Sequence, residues 1–163
     1  MAVGLVLLGL VSACSGGSEP VEQVPAESMF GEPPGGFTYQ EVPGEDLASI
    51  AEQIEDAEGV VDFAARLLVD GDGVVQGIVQ AIGQDPDLAS DPDHFEDFMS
   101  RLESEAGASS RRENVEGVDV RVIDRGSAGP SLAIWQVPGT NVFLMVNAAD
   151  GETALRVATA LIE

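Results

Sequence analysis

Apolar residues recur along this chain at two periods. The clearest alternation lies late. Val118, Val120 and Val122 are interleaved with Asp119 and Arg121, the pattern of a strand with one face buried. Residues 126–130 turn the chain, residues 131–137 (SLAIWQV) form a second strand, and Pro138-Gly139-Thr140-Asn141 turns it again. Residues 142–146 (VFLMV) are apolar at every position. Such a strand is covered on both faces and lies centrally in its sheet. Behind Asp150, an N-cap residue, Ala154, Leu155, Ala158, Leu161 and Ile162 share one helical face.

The earlier half is punctuated in the same way. Leu47, Ile50, Ala51 and Ile54 fall at helical spacing within residues 45–58. Glu45 and Asp46 suit the positive end of that helix, and Gly59 suits its stop. Residues 60–69 fit a strand by the alternation of Val61, Phe63, Ala65, Leu67 and Val69, and permit a helix by Val60, Val61, Ala64 and Leu68. Asp70-Gly71-Asp72-Gly73 decides for the strand, because Asp-Gly tolerates positive φ and residues 74–82 are again rich in Val and Ile. Residues 83–91 read as loop. Asp93 with Glu96 three residues on reads as a capping box for a helix that carries Phe95, Phe98, Met99 and Leu102 and stops near Gly107. Residues 107–114 read as a polar loop, and residues 38–42 as a short opening strand. The pattern predicts an α+β fold: a mostly antiparallel sheet of about five strands, with three helices packed mainly on one face. No internal repeat is evident.

The first residues belong to neither period. Residues 3–11 are Gly or apolar, too few for a bilayer-spanning helix, which needs about 20 residues, but suited to the h-region of a secretory signal. Small residues follow, and then Cys14, the only cysteine. Val11-Ser12-Ala13-Cys14 resembles the lipobox of bacterial lipoproteins: an aliphatic residue, a small or β-branched one, a small one, then Cys. The resemblance covers about the first 18 residues and does not reach the folded domain. It implies a diacylglycerol on the Cys14 thiol, cleavage just before it, and export, with the domain anchored by lipid on the extracytoplasmic side of the cell membrane. Leaders begin with Lys or Arg, and Met1-Ala2-Val3-Gly4 has neither, so the true start is expected upstream. The alternative makes residues 1–10 part of the core and Cys14 an ordinary thiol. Residues 15–36 are rich in Pro, Gly, Ser and Glu and show no apolar period, so they read as a tether reaching about 26 Å on average. The expected organisation is a signal peptide at 1–13, a lipidated cysteine and flexible acidic tether at 14–36, and one globular domain at 37–163.

Charge narrows the partners. Asp and Glu number 29 against 7 basic residues, all Arg, for a net charge of −22. That balance disfavours nucleic acid and anionic headgroups. No dense acidic block dominates, so it reads first as a dispersed solubility adaptation.

Candidate chemistry is sparse. His94, the single histidine, is flanked by Asp93, Glu96 and Asp97 and reads as a solvated surface residue, not the held base of a Ser-His-Asp triad. One His and one Cys exclude a His/Cys zinc site. Asp70-Gly71-Asp72 opens like a calcium loop, but positions 5, 6 and 12 fall on Val74, Val75 and Ala81, which breaks the pattern. Asp85, Asp87, Asp91 and Asp93, in DPDLASDPD, are weak metal candidates that rank first as turn and helix-start residues. No Gly-rich phosphate loop precedes a helix. Trp135 reads as sheet packing, and a stacking platform would need Phe143 beside it. Arg111-Arg112, the only basic pair, reads as solvated. No catalytic residues and no cofactor are assigned. The expected function is a non-catalytic binding or structural domain of a lipid-anchored envelope lipoprotein, meeting the membrane through acyl chains on Cys14 and binding no nucleic acid. Two alternatives stand beside it: a carboxylate-dependent hydrolase of envelope polymers, and a cation-responsive protein using residues 85–93.

Overall fold

The described residues form seven strands and four helices, most of them where the apolar pattern places them. The computed structural model describes residues 21–55 and 57–163, so the leader and Cys14 lie outside the described residues. The elements run β1 (Phe37–Glu41), α1 (Gly44–Glu55), β2 (Val60–Asp70), β3 (Val75–Gln84), a short α2 (Pro86–Ala89), α3 (Pro92–Ala106), β4 (Ser110–Val115), β5 (Val118–Ile123), β6 (Ser131–Gln136), β7 (Val142–Ala148) and α4 (Gly151–Ile162). All pairings are antiparallel, in the order β1-β2-β3-β7-β6-β5-β4. The hairpin half and the meander half meet at β3 and β7. Strand β7, apolar at every position from 142 to 146, is therefore the middle strand, as its sequence predicts.

The fold is α+β with an antiparallel sheet, but two strands more than expected. One is the opening strand β1, read from the sequence at residues 38–42 but not counted among the five. The other is β4, which reads as loop because Ser110-Arg111-Arg112-Glu113-Asn114 carries no apolar alternation. It is an edge strand, and polar, charged edges discourage pairing with other chains. Its hairpin to β5 turns on two residues, Glu116 (φ 48°) and Gly117 (φ 89°), the positive-φ pair that matches strand twist.

Helices cover both faces of the sheet, α1 and α3 on one and α4 on the other, so the helix cover expected mainly on one face is shared between two. Phe143 and Met145 of β7 point to the side covered by α1 and α3, together with Ile82, Ile123 and Ile134. Val142, Leu144, Val146 and Ala148 point to the other side, with Trp135, Val120 and Val122, under α4. A strand apolar at consecutive positions needs cover on both faces. On the α4 side Ala154, Val157 and Ala158 are fully buried. Helix α3 begins two residues earlier than its capping-box pattern indicates. Asp91 is the N-cap, accepting from the Asp93 amide, and Pro92 takes the first turn. Among the described residues no helix is long and apolar enough to cross a membrane.

Residues 21–36 overturn their reading as tether. Glu22 bridges Thr140 in parallel, and Ala26–Met29 form a 3-10 turn against β2 and β3. Ala26 is fully buried, while Val24, Met29 and Phe30 pack on the same apolar layer as α4. Asp62 accepts from the Ala26 amide at 2.7 Å, Arg66 pairs with Glu27, and the Arg66 guanidinium lies over the Phe30 ring at 5.5 Å. This segment covers the part of the layer that α4 does not. The folded domain begins by Val21, not at Phe37.

The β2–β3 turn carries a pH signature. The amide of Val74 donates to the Asp70 carboxylate, and the amide of Asp72 and the side chain of Gln76 do the same, holding its pKa below the ordinary value. A carboxyl lowered by folding stabilises the fold fully above its unfolded pKa, about 4, and loses that contribution as pH falls through the folded value. Asp70→Asn is therefore expected to melt below the wild type at pH 7. The gap between the two melting temperatures should close as the pH falls below about 4, and a gap constant from pH 7 to pH 2 would contradict this.

Candidate functional site

A concavity lies between α1 and α3. The two helices lie along one face of the sheet and leave a groove of about 580 Å³, within the usual range for small-molecule sites, about 300–1,000 Å³. Its floor comes from Ile82 of β3, Leu132 of β6 and Met145 of β7. Ile50 and Ile54 form one wall, and Phe98 and Leu102 the other. These positions follow from the two periods: alternate residues of each strand point up, and every third or fourth residue of each helix points down.

Polar groups interrupt that lining at chosen points. Gln80, directly opposite Met145 in the β3–β7 register, is 4% exposed, and its Oε1 accepts no hydrogen bond. Asn147 follows on β7. Arg101 and Glu105, one turn apart on α3, line the groove, and Arg125 enters from the β5–β6 loop. That loop is pinned: Ser131, fully buried, donates its hydroxyl to Asp124 at 3.0 Å and accepts from the Arg125 amide at 3.1 Å. The guanidinium then lies over Gly129, where an added Cβ would stand 3.2 Å from Arg125 Cζ. The Arg125 Nε is buried without a partner. A buried polar atom left unpaired disfavours the fold by about 1–3 kcal/mol, and here two of them line one groove.

The residues singled out from sequence lie elsewhere. Cys14 is outside the described residues. Asp85 and Asp91 each accept the amide two residues on, as helix caps, while Asp87 and Asp93 occupy first turns. Among the described residues no three His, Cys, Asp or Glu side chains approach closely enough to hold a metal ion. His94 is not solvated: it is half-buried, with Nε2 3.0 Å from Gln84 Oε1 and its ring 6.1 Å from that of Phe143. It sits one residue before Phe95, in the turn of α3 that meets the sheet at Phe143. Trp135 pairs with Leu144, not Phe143, so the two aromatic rings point to opposite faces and form no platform.

Arg112 is tied down as well. It pairs with Glu96 at 3.0 Å and with Asp119 at 3.3 Å. The same Glu96 pairs with Arg121, whose guanidinium donates to Ser110 at 3.2 Å. Ser110 in turn donates its hydroxyl and amide to Glu103, and these bonds hold the Glu103 carboxyl below its ordinary pKa. This network staples α3 to the β4–β5 edge and fixes one wall of the groove.

Glu105 is the one carboxylate lining the groove among the described residues. A two-carboxylate hydrolytic mechanism needs a second acid across the cleft, and the described lining does not supply it. What the groove offers is recognition: apolar length, two guanidinium groups and an amide acceptor. Gln80 and Asn147 were missed in the sequence. The available signal was a polar residue inside an otherwise apolar strand that the pattern makes central. Comparison with known proteins returns no matching family model, no matching curated protein and no matching solved structure.

Proposed function

We propose that this chain is an exported lipoprotein whose domain binds a small amphipathic ligand in the groove between α1 and α3 and carries out no reaction. The observation that carries the binding half is Gln80, a buried amide with an unpaired acceptor in a mostly apolar floor. The lipobox carries the other half. Diacylglycerol on Cys14 anchors the mature chain, since two acyl chains hold stably where one does not. With residues 21–36 docked on the sheet, only residues 14–20 link anchor to domain, and seven residues reach at most about 25 Å. The groove then works close to the membrane surface.

Two measurements test the halves separately. Expressed from its native upstream region, the wild type is expected to lose its leader, gain the mass of a diacylglycerol and sediment with membranes. Cys14→Ala should do none of these, and identical behaviour of the two proteins removes the anchor. For the groove, the neutral fluorophore N-phenyl-1-naphthylamine should bind the soluble domain saturably. Ala106→Trp, which fills the groove from α3, should abolish that signal with the circular dichroism spectrum unchanged. Equal binding by both proteins removes the groove as the site.

A further inference from the structure

We propose that the ligand is a single-chain acyl carboxylate carrying a hydrogen-bond donor beside its head, of which an N-acylated amino acid is the simplest case. This rests on the groove being the binding site and goes on to name its chemistry. Three features of the lining set three demands.

The first is an anion. Seven arginines serve a chain with 29 acidic residues. Arg66, Arg111, Arg112 and Arg121 each make an ion pair. Arg156 donates to Gln76 and lies over the Phe37 ring. Arg101 and Arg125 alone make neither an ion pair nor a side-chain hydrogen bond among the described residues, and both line the groove. Guanidinium groups bind carboxylates through paired N–H donors. Glu105 beside them sets an upper limit on ligand charge: it tolerates one negative charge more readily than two.

The second demand is a donor. The Gln80 Oε1 is buried and accepts nothing from the protein. An amide N–H or hydroxyl next to the ligand's head would complete it. The third is an apolar chain, matched by Ile54, Ile82, Phe98, Leu102 and Met145 along the groove. Overall charge argues the other way. A surface at −22 attracts cations at long range, but that field is screened beyond about 8 Å at physiological salt. A preference for an anionic amphiphile would therefore be the groove's own.

Displacement of bound N-phenyl-1-naphthylamine tests this with four probes of one chain length, each below its micelle concentration: N-dodecanoylglycine, dodecanoate, dodecyl maltoside and dodecyltrimethylammonium. N-dodecanoylglycine is expected to displace at a concentration about tenfold lower than the maltoside or the ammonium. Arg125→Ala should weaken both acids by about tenfold and leave the maltoside within about twofold. Arg125→Lys, which keeps the charge without the fork, should fall between. Gln80→Leu should abolish the advantage of N-dodecanoylglycine over dodecanoate, while raising the melting temperature by about 3 °C because an unpaired buried acceptor is gone. Equal displacement by all four probes, or preference for the ammonium, overturns the ligand class while leaving a binding groove. Failure of the wild type to bind the fluorophore at all removes the groove and the ligand class together.

Discussion

Replacement of Phe143 by Ala is expected to cost the domain about 3–5 kcal/mol in urea-unfolding experiments, with an unchanged denaturant slope. The ring is fully buried near the start of the central strand β7, where it pairs across the sheet with Ile82 and Gln136. It meets Phe95 edge-on at 5.0 Å between centroids and lies 5.4 Å from Phe98. Truncation removes these contacts and leaves a cavity under α3. The size of the loss depends on whether α3 can sink into that space. Three restraints oppose it: the Asp91 cap at the start of the helix, the left-handed Gly107 at its end, and the ion pairs of Glu96 with Arg112 and Arg121 along its length. Phe143→Leu keeps most of the volume and should cost under about 1.5 kcal/mol. A loss below 1 kcal/mol for the alanine variant would show that α3 does collapse, and the groove wall with it.

Phe143 also marks what sequence reasoning can and cannot see here. The run VFLMV announced a central strand because burial on both faces leaves no room for polar alternation. The same run implies two covering layers, but nothing local in α1 or α4 records which face it meets, so the pattern alone does not divide the helices between the faces. Face assignment follows from chain crossing. Strand β3 leads through α3 to the far edge, and the meander β4 to β7 returns to the centre. Edge strand β4 was illegible for a different reason. Its six residues are held by pairing with β5, not by an apolar face, and Arg112, Glu113 and Asn114 look like a loop in any window. The prolines and glycines of residues 15–36 have the composition of a tether, yet residues 21–36 dock. What docks them is long-range: Val24, Ala26, Met29 and Phe30 have no local period, and their partners lie on β2, β3 and the turn before β7. The groove was hidden by the same limit. Gln80, Arg101, Arg125 and Asn147 are far apart in sequence and converge only when β3 and β7 pair.

Asn141 is the residue that joins the N-terminal segment to the sheet, and its replacement by Ala is expected to cost about 3 kcal/mol. The side chain is 1% exposed. Its Oδ1 accepts from the Val24 amide at 2.8 Å, and its Nδ2 donates to the Gln84 carbonyl at 2.7 Å. Alanine keeps the backbone bonds from Asn141 to Glu22 and from Gln84 to Asn141. It strands the other two groups out of water, and each unpaired buried group costs about 1–3 kcal/mol. The loss should be unevenly distributed. Amide hydrogen exchange is expected to quicken at Val24 and Ala26 before it quickens in β5 or β6, and proteolysis should first cut within residues 21–36. Asn141→Asp separates the two bonds. It keeps the acceptor for Val24 but sets a carboxylate against the Gln84 carbonyl, which raises the folded pKa of the new group. Its deficit should therefore be small below about pH 4 and grow as the pH rises above the ordinary aspartate pKa. If Asn141→Ala lowers stability without early cleavage in residues 21–36, the segment unfolds with the sheet and belongs to its core. If early cleavage appears with little loss of global stability, the segment detaches alone, and the chain between Cys14 and the sheet lengthens whenever it does.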